Sequence, residues 1–350
     1  MKHTLSNSQT AKEQQGNPSQ ARATRKALVA IIDWSTAPLG EEAASIERSV
    51  IGDLAEVKTY QCGTDSDFTG EILDARALIV WHNTMITKTV ISRLTQCRAI
   101  IRNGVGYDSV DIDAARELGI AVCNVPDYGT EEVADHAIAL TMAQCRQLFP
   151  LDSEAKQLGW NIRVQEKMRR LRELTFGIVG LGRIGTATAL RAKALSFKVV
   201  FYDPYLPNGV DKALGISREH NLNDLLRRVD VLSLHCPLTP ETHHMIAEHE
   251  IGLMKPTAYI VNTARGGVIK TAPLLEALRA GRLGGAGLDV VEDEPLRTPE
   301  EAATPNLIVT CHAAFCSVEA KREMRTTSAR IAKLAVQGEP LQNVINGVNC

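Results

Sequence analysis

The chain has 350 residues, enough for two domains of ordinary size, and 44% of them are hydrophobic and 23% charged, as in a soluble globular protein. Its formal net charge of −2 argues against nucleic acid as a main partner, because phosphate binding requires a clustered basic surface. No apolar run approaches the length of a membrane span, so no membrane partner is predicted either.

The N-terminal residues 1–24 are polar throughout and contain nothing that resembles a signal peptide. We therefore predict a disordered tail at 1–24 and a cytoplasmic protein. The eight cysteines are scattered along the chain, and none forms a C-x-x-C pair. This spacing indicates small buried side chains in a reducing compartment, so neither disulfides nor a metal site are predicted.

Short β-rich runs alternate with amphipathic segments in the first part of the chain. The predicted strands are ALVAII (27–32), ALIVW (77–81), RAII (98–101) and IAVCNV (120–125). The predicted helices between them include EEAASIERSVIG (41–52) and SVDIDAARELG (109–119). Such alternation predicts parallel strands that are joined by crossover helices.

The turn-rich segment NVPDYGT (124–130) interrupts this alternation. Thr130 is predicted to cap a long helix over 131–149, which Pro150 would end. Apolar residues give that helix a broad face. This face could cover a sheet or pack on a second copy of the chain, and the sequence leaves both interpretations open.

A second series of strands and helices begins near residue 174. Its predicted strands are FGIV (176–179), KVVFY (198–202), VDVLSLH (229–235), AYIVN (258–262), GLDVV (287–291) and LIVT (307–310). A final helix is predicted over 318–338, and its return to the first series is the most economical path. The chain is thus predicted to be α/β with two doubly wound, Rossmann-like parallel-sheet domains. The domain at 125–315 would be inserted into the domain formed by 25–124 and 316–350.

Three glycines in the stretch GIVGLGRIG have the spacing G-x-G-x-x-G. Gly180, Gly182 and Gly185 follow a predicted strand and open a predicted helix, which is the context that dinucleotide binding requires. Asp203 ends the next strand, where a carboxylate can bind ribose hydroxyls and repel the 2′-phosphate of NADP. We therefore predict NAD as the cofactor. The alternative is a turn used only for packing, with Asp203 as a helix cap.

A second glycine pair occurs in NGVGYD (103–108), which also follows a predicted strand. The pair lacks a third glycine, and no acid ends a following strand at the appropriate distance. Its N–H groups could hold a small anion, and a plain turn is an equal alternative on these residues alone.

Four polar residues follow strands of the second domain, where open α/β sheets bind ligands. Arg265 follows AYIVN, Asp289 and Glu294 lie in LDVVEDEP, and His312 follows LIVT. An arginine can bind and polarise a 2-keto acid, and a histidine oriented by a carboxylate can deliver a proton to the carbonyl oxygen. Each residue alone has another interpretation, as a surface ion pair, a core histidine or a solvated acid. Their convergence in one domain favours catalysis.

The motifs GIVGLGRIG, YDPY, VNTARGG, LDVVEDEP and HAAF together resemble the D-isomer-specific 2-hydroxyacid dehydrogenases, over about residues 75–345. GIAVCNVP, YDPYL, the double histidine of THHMI (243–244) and HAAF are most similar to the C-terminal-binding-protein branch of that family. The resemblance implies a flavodoxin-like substrate domain at 25–124 and 316–350, an NAD-binding domain at 125–315, and a homodimer formed through the NAD-binding domain.

The resemblance also implies a role for individual residues. Arg265 would bind the substrate, His312 would donate or accept the proton, and Glu294 would be the partner of His312. The positions that match substrate-binding residues are Val105, Gly106, Arg265 and Phe315. The positions that match cofactor-binding residues are Gly180, Leu181, Gly182, Arg183, Ile184, Asp203, Cys236, Pro237, Leu238, Thr242, Thr263, Ala264, Asp289 and Ala314.

Two positions depart from the family's pattern. Cys311 stands where proline usually precedes the catalytic histidine, and Phe315 stands where the C-terminal-binding-protein branch usually has tryptophan in the substrate pocket. The expected activity is NAD-dependent interconversion of 2-keto acids and D-2-hydroxy acids, with the particular acid left open. The alternatives are an NAD(H)-sensing corepressor or scaffold, which the branch resemblance suggests, and a phosphite dehydrogenase, which would use a similar Arg and His.

Overall fold

The computed structural model describes residues 26–33, 41–81, 84–160 and 168–348, so the predicted tail at 1–24 lies outside the described residues. Within these ranges the chain forms two parallel sheets, of five and seven strands, that are flanked by helices. The predicted α/β class with two doubly wound sheets is confirmed. None of the helices in the described ranges is long and apolar enough to cross a lipid bilayer.

The first sheet is formed by strands from the N-terminal third of the chain. These are β1 (Ala27–Asp33), β2 (Ala55–Gln61), β3 (Ala77–Val80), β4 (Ala99–Arg102) and β5 (Ala121–Cys123). Neighbouring strands are parallel, in the order β2-β1-β3-β4-β5. The connecting helices include α1 (Ser45–Ile51), α2 (Lys88–Ile91) and α3 (Ile112–Glu117). This strand order is that of flavodoxin-like folds.

The second sheet begins after the connector at 124–129. Its strands are β6 (Thr175–Val179), β7 (Lys198–Tyr202), β8 (Ser217–Arg218), β9 (Val231–Leu234), β10 (Tyr259–Asn262), β11 (Gly285–Leu288) and β12 (Leu307–Val309). Their order is β12-β11-β10-β9-β6-β7-β8. The direction of the strand order reverses between β6 and β9, and open α/β sheets bind their ligands at such a reversal.

The helices of this part precede, join and flank the strands. They are α4 (Thr130–Cys145), α5 (Leu148–Lys156), α6 (Arg183–Ala194), α7 (Val210–Leu214), α8 (Leu222–Arg228), α9 (Glu248–Leu253), α10 (Thr271–Arg279) and α11 (Pro299–Ala302). α4 packs against α6 and against β10 and β11. Its apolar face therefore covers the sheet, which was one of the two interpretations left open by the sequence.

The last helix, α12 (Val318–Gln337), returns to the first sheet, as predicted. It packs against α1, β3 and β4, and its buried Ile331 and Ala335 share one apolar cluster with Val29 and Ile79. The chain beyond α12 also joins this sheet, because the backbone N–H of Ile345 donates to the carbonyl of Val122 at 2.8 Å. The second α/β unit is thus inserted into the first.

The prediction of a single helix over 131–149 is wrong in its extent, because two helices cover this range. α4 begins at Thr130 itself and ends at Cys145, and Gln147 then adopts a left-handed φ of +51° that starts a new helix direction. Pro150 does not end a helix, because it lies in the first turn of α5. A proline is tolerated there since the N–H groups of a first turn have no partner within the helix.

Thr130 also does not cap α4. It is the first helical residue, Gly129 precedes it, and the buried Thr130 Oγ1 has no hydrogen-bond partner among the described residues. The predicted strand over 287–291 ends at Leu288, so Asp289 lies beyond the sheet. The prediction of buried cysteines fails at Cys311 and Cys316, which are exposed because they flank the loop after β12.

Candidate active site

The glycine-rich turn joins the end of β6 to the start of α6. Gly180 has a left-handed φ of +86°, and a Cβ on it would lie 2.8 Å from the backbone nitrogen of Cys236. A Cβ on Gly185 would lie 2.0 Å from the carbonyl oxygen of Gly180. Both positions require glycine, the first for the turn and the second for the close packing of α6 on β6.

Gly182 differs from these two glycines because it faces open space. Within the described ranges, no heavy atom outside its chain neighbours lies within 4 Å of a Cβ placed on it. It directly precedes α6, whose first N–H groups have no partner within the helix. An open helix N-terminus fits the pyrophosphate of a dinucleotide. Of the other residues predicted here, Leu181 is buried, Ile184 is half-buried and Arg183 is exposed.

Asp203 lies directly after β7, and backbone N–H groups hold its carboxylate. Oδ2 accepts a hydrogen bond from Leu181 N at 2.9 Å, and Oδ1 accepts one from Tyr205 N at 3.0 Å. The first bond joins the acid to the glycine turn. Because each carboxylate oxygen has a second lone pair, Asp203 can still accept hydrogen bonds from ribose hydroxyls.

Arg218 is a nearby cation that the sequence analysis missed. Its Nη2 donates to the carbonyl oxygens of Asp203 at 2.7 Å and Leu206 at 2.9 Å, and its Nη1 donates to that of Pro207 at 3.1 Å. The guanidinium therefore holds the segment after β7 in place through hydrogen bonds to three backbone carbonyls. The two-residue strand β8 that carries it has no periodic pattern by which the sequence could have placed it.

The predicted cofactor residues after β9 lie in a loop that is closed by its own hydrogen bonds. Thr242 Oγ1 accepts from Thr239 N at 2.8 Å and donates to the carbonyl of Pro237 at 2.6 Å. Cys236 packs behind the glycine turn, and burial raises the pKa of its thiol to about 11, so the thiol is neutral at ordinary pH. Leu238 lines a cleft together with Arg265.

Thr263 and Ala264 follow β10 and lead to Arg265. The N–H of Ala264 donates to Asn262 Oδ1 at 3.0 Å, which fixes the turn. The buried hydroxyl of Thr263 has no hydrogen-bond partner within the part of the chain that the structure describes. Buried hydroxyls are normally paired, so an orphan beside the strand ends is a group that a bound cofactor could satisfy.

Asp289, predicted as a cofactor residue, holds the loop that carries His312. Its Oδ1 accepts from Thr310 Oγ1 at 2.6 Å and from Ala313 N at 2.9 Å, and its Oδ2 accepts from Ala314 N at 2.9 Å. The N–H of His312 donates to the carbonyl of Asp289 at 2.8 Å. The acid is almost completely buried, at 2% exposure. These bonds fix the backbone on both sides of the histidine.

The side chain of Arg265 extends from the second α/β unit to the loop NGVGYD of the first. Its Nε donates to Asp108 Oδ1 at 3.0 Å, and its Nη1 donates to the carbonyl of Ala264 at 2.9 Å. A Cβ on Gly106 would lie 1.3 Å from Nη2, so only glycine lets the guanidinium approach this backbone. Burial raises the pKa of Asp108, but the charge and hydrogen bond of Arg265 outweigh it and keep that pKa below its usual value.

His312 and Glu294 form a hydrogen-bonded pair across the ends of β12 and β11. His312 Nδ1 lies 2.9 Å from Glu294 Oε2, and the two side chains are 34% and 33% exposed. His312 has a left-handed φ of +52°, a conformation that non-glycine residues rarely adopt outside functional or strained sites. Both residues line the same cleft, of about 650 Å³, as Arg265 and Asp108. The structure thus brings the three predicted catalytic residues together.

Arg102 and Tyr128 were not predicted but lie close to the guanidinium of Arg265. Burial lowers the pKa of Arg102, and the neighbouring charge of Arg265 lowers it further. Burial raises the pKa of Tyr128 to about 12. Arg102 ends β4, so its place at a strand end was the signal that could have identified it. With Asp108 as their shared counter-charge, the two arginines give this group of three side chains a net positive charge.

Phe315 lies between His312 and Tyr128. Its ring centroid is 6.0 Å from that of Tyr128 and 6.5 Å from that of His312, with edge-to-face geometry in both cases. Val105 packs against the same apolar cluster, and its carbonyl accepts a hydrogen bond from Asn124 Nδ2 at 2.7 Å. These side chains form an apolar cluster beside the histidine.

Comparison with known proteins gives one family and several close relatives. A family model described as "D-isomer specific 2-hydroxyacid dehydrogenase, NAD binding domain" matches residues 138–314. D-3-phosphoglycerate dehydrogenase of Methanocaldococcus jannaschii is 37% identical over 314 residues, which cover 90% of this chain and 59% of that protein. C-terminal-binding protein 1 of Caenorhabditis elegans is 32% identical over 337 residues, which cover 93% of this chain and 45% of that protein. The chain therefore spans about half the length of these two relatives.

Among solved structures, the fold is similar to D-lactate dehydrogenase from Aquifex aeolicus in complex with NAD and lactic acid. The TM-score is 0.79 and the sequence identity 31%, and the match covers 89% of this chain and 96% of the other. Identity at this level over nearly the whole of both chains extends the similarity beyond the segment that the family model matches.

Proposed function

The chain belongs to the D-isomer specific 2-hydroxyacid dehydrogenase family, and we propose that it interconverts 2-keto acids and D-2-hydroxy acids by hydride transfer with NAD. One observation carries the proposal: Arg265, Glu294 and His312 line a single cleft of about 650 Å³. This reaction requires a cation that binds the carboxylate of the substrate. It also requires a group that moves a proton, here a histidine–carboxylate pair.

The second sheet provides a site that fits the cofactor. The matched segment is an NAD-binding domain, and when bound NAD supplies or accepts the hydride. The open N-terminus of α6 at Gly182 fits a pyrophosphate, and the carboxylate of Asp203 fits a ribose with free hydroxyls. The unpaired hydroxyl of Thr263 offers a further hydrogen bond. Of these features, the carboxylate of Asp203 supports NAD in preference to NADP, because it would repel the 2′-phosphate.

Arg265 binds the carboxylate of the substrate and polarises its carbonyl in this proposal. The N–H of Arg265 Nε is hydrogen-bonded to Asp108, and one N–H of Nη1 is hydrogen-bonded to the carbonyl of Ala264. Of the five N–H donors of a guanidinium, those of Nη2 and the second hydrogen of Nη1 remain for a ligand. Asp108 thereby fixes the plane of the guanidinium, and a fixed plane favours two parallel bonds to a carboxylate.

His312 carries the proton in both directions. In reduction its imidazolium donates a proton to the carbonyl oxygen, and in oxidation the neutral ring accepts a proton from the hydroxyl. Glu294 bonds Nδ1, so Nε2 is the nitrogen that faces the substrate. Asp289 holds the hydroxyl of Thr310 on one side of the histidine and the backbone N–H groups of Ala313 and Ala314 on the other, and so maintains this orientation.

The proposal is tested by following NADH absorbance with glyoxylate, hydroxypyruvate and longer aliphatic 2-keto acids. We expect turnover with at least one of these acids. Arg265→Ala should then lose about 3 kcal/mol of transition-state binding, more than a hundredfold in kcat/KM, because a charge-assisted contact is removed. Arg282→Ala is the control, since Arg282 forms an exposed ion pair with Glu276 outside the cleft. Its kcat/KM should equal that of the wild type.

The same assay distinguishes the alternative functions. Tight NADH binding without turnover of any 2-keto acid would contradict the proposed reaction and favour an NAD(H)-sensing scaffold. Formation of NADH from NAD and phosphite would favour phosphite oxidation. The His312–Glu294 pair is suited to moving protons, which a scaffold does not need, so the geometry supports the dehydrogenase.

A further inference from the structure

His244 lies behind the cleft and contacts two loops that carry catalytic residues. Its backbone N–H donates to the carbonyl of Gly267 at 2.8 Å, two residues from Arg265. Its ring Nε2 is hydrogen-bonded to Oε1 of Glu292, two residues from Glu294. One residue therefore joins the loop of the substrate-binding arginine to the acidic loop at 292–294.

Glu292 is held from its other side by the start of α10. Its Oε2 accepts from Thr271 N at 3.1 Å, and its own N–H donates to Thr271 Oγ1 at 3.4 Å. Burial raises the pKa of Glu292, but the hydrogen bonds from Thr271 and His244 outweigh it and keep that pKa below its usual value. The acid is therefore ionised at neutral pH.

The two loops are also in close backbone contact. A Cβ on Gly266 would lie 1.8 Å from the carbonyl oxygen of Val291 and 2.5 Å from the nitrogen of Glu292. A small shift of Glu292 would thus move the backbone beside Arg265. The side chains of His244 and Glu292 are 29% and 27% exposed, so solvent weakens this pair less than a surface ion pair.

The conformation of His244 is unusual. Its φ is +53°, in the left-handed region, which costs about 1 kcal/mol or more for a residue with a Cβ. This turn places the ring of His244 against that of His243, with centroids 3.8 Å apart and planes inclined by 29°. Strained residues that persist near active sites are candidates for a functional role.

The cluster of His243, His244 and Glu292 does not have the geometry of a metal site, although its possible ligand atoms lie within 4.8 Å of one another. A metal ion binds an imidazole along the nitrogen lone pair, in the plane of the ring. Two rings that stack nearly face to face do not share such a position. In addition, the Nε2 of His244 is already bonded to Glu292.

We propose that His244 and Glu292 are positioning residues, which hold the acidic loop so that Glu294 meets His312 opposite Arg265. The inference rests on the proposed dehydrogenase function, because it assigns these residues a part in orienting its catalytic groups. Glu292 borders the cleft, and His244 is not among the residues that line it. They act through the backbone that connects Glu292 to Glu294 and His244 to the arginine loop.

Two variants of the 350-residue chain test the proposal. His244→Asn tolerates the left-handed backbone, but its side chain is too short to reach Glu292. Glu292→Gln keeps the shape and removes the charge. We expect faster hydrogen–deuterium exchange at 291–297 in both variants without ligand. We also expect kcat to fall about tenfold or more while KM for NADH is unchanged, because misplaced catalytic groups slow the chemical step.

His243→Asn is the matched control, because His243 stacks on the same ring but has no hydrogen bond to Glu292 among the described contacts. It should behave as the wild type. His244→Gln keeps an N–H donor at similar reach and should restore most of kcat. Unchanged exchange and unchanged kcat in His244→Asn and Glu292→Gln would overturn the proposal. So would a fall in kcat that is matched by an equal loss of NADH affinity, since that indicates general disruption.

The exchange measurement also separates this proposal from the proposed function. Faster exchange at 291–297 in a chain whose wild type reduces no 2-keto acid would support the positioning role and contradict the proposed reaction. Wild-type turnover with no effect of His244→Asn on exchange or kcat would support the reaction and contradict the positioning role.

Discussion

Asp203 is the residue on which the choice between NAD and NADP depends. Asp203→Ala removes a carboxylate that bonds Leu181 N and Tyr205 N beside the glycine turn. We expect the ratio of kcat/KM for NADPH to that for NADH to rise about tenfold or more, because repulsion of the 2′-phosphate is lost together with the ribose contact. Steady-state kinetics with both cofactors measure this ratio.

Asp224→Ala is the control for that measurement. Asp224 lies in the same domain, is exposed and pairs with Arg227 three residues along the chain. The variant should leave the cofactor ratio unchanged. If Asp203→Ala also leaves the ratio unchanged, Asp203 does not contact the ribose, and the preference for NAD has another origin.

At the residue scale, the sequence predicted the groups at strand ends but not their partners. Arg265, Glu294 and His312 could be placed in one cleft because each follows a strand of the same parallel sheet. Asp108 could not be identified as the partner of Arg265, since the two are 157 residues apart and lie in different α/β units. A contact of this kind depends on how the units pack, which local patterns do not encode.

The glycines of the turn between β6 and α6 have different surroundings, because Gly185 is tightly packed and Gly182 faces open space. Gly185→Ala places a methyl group 2.0 Å from a carbonyl oxygen, so α6 must move away from β6. We expect a loss of about 1–3 kcal/mol in unfolding free energy and a fall of several degrees in Tm, measured without cofactor.

Gly182→Ala is the comparison, because it meets no neighbouring atom in the described structure and its φ of −73° suits alanine. We expect an unchanged Tm without cofactor and an NADH dissociation constant raised about tenfold or more, since the methyl group occupies the space that fits the pyrophosphate. An unchanged NADH affinity would mean that the phosphates bind elsewhere.

Two features of the fold were not predicted from the sequence, namely β2 and the break between α4 and α5, and each has a physical reason. β2 lies at the edge of its sheet, so only Ala55 and Val57 of the strand AEVKTYQ are buried and it has no continuous apolar run. The break between α4 and α5 depends on a left-handed Gln147, a conformation that its residue type does not favour. The central strands are buried on both faces and were recognised because they are mostly apolar.

At the scale of the whole molecule, the inserted arrangement followed from one property of the sequence. A second series of strands begins after 124–130, and a helix remains after its last strand. Placing that helix, now α12, on the first sheet required only that its apolar face be buried. The interface between two copies of the chain could not be predicted in this way. A sequence pattern does not show which apolar residues remain exposed in the folded chain or which surface they contact.

The segment from Leu148 to Trp160 exposes a group of large apolar side chains. Leu158 and Trp160 are 97% and 93% exposed, and Leu148 and Phe149 are 53% and 57% exposed. Clustered apolar exposure of this kind is typical of protein interaction sites. The sequence left open whether α4 faces a sheet or a second copy, and α4 packs against β10 and β11 of its own sheet. We therefore regard α5 and the residues after it as the better candidates for the predicted homodimer.

Replacing two of these side chains tests the homodimer. The double variant Phe149→Glu, Trp160→Glu places two charges in the proposed interface, where burying an unpaired charge is costly. By light scattering during gel filtration, we expect the wild type to have the mass of a dimer and the variant that of a monomer of about 38.1 kDa. Val318→Glu is the control, since Val318 is 81% exposed at the start of α12 and should remain dimeric when replaced. A monomeric wild type would contradict the homodimer, and a dimeric double variant would place its interface elsewhere.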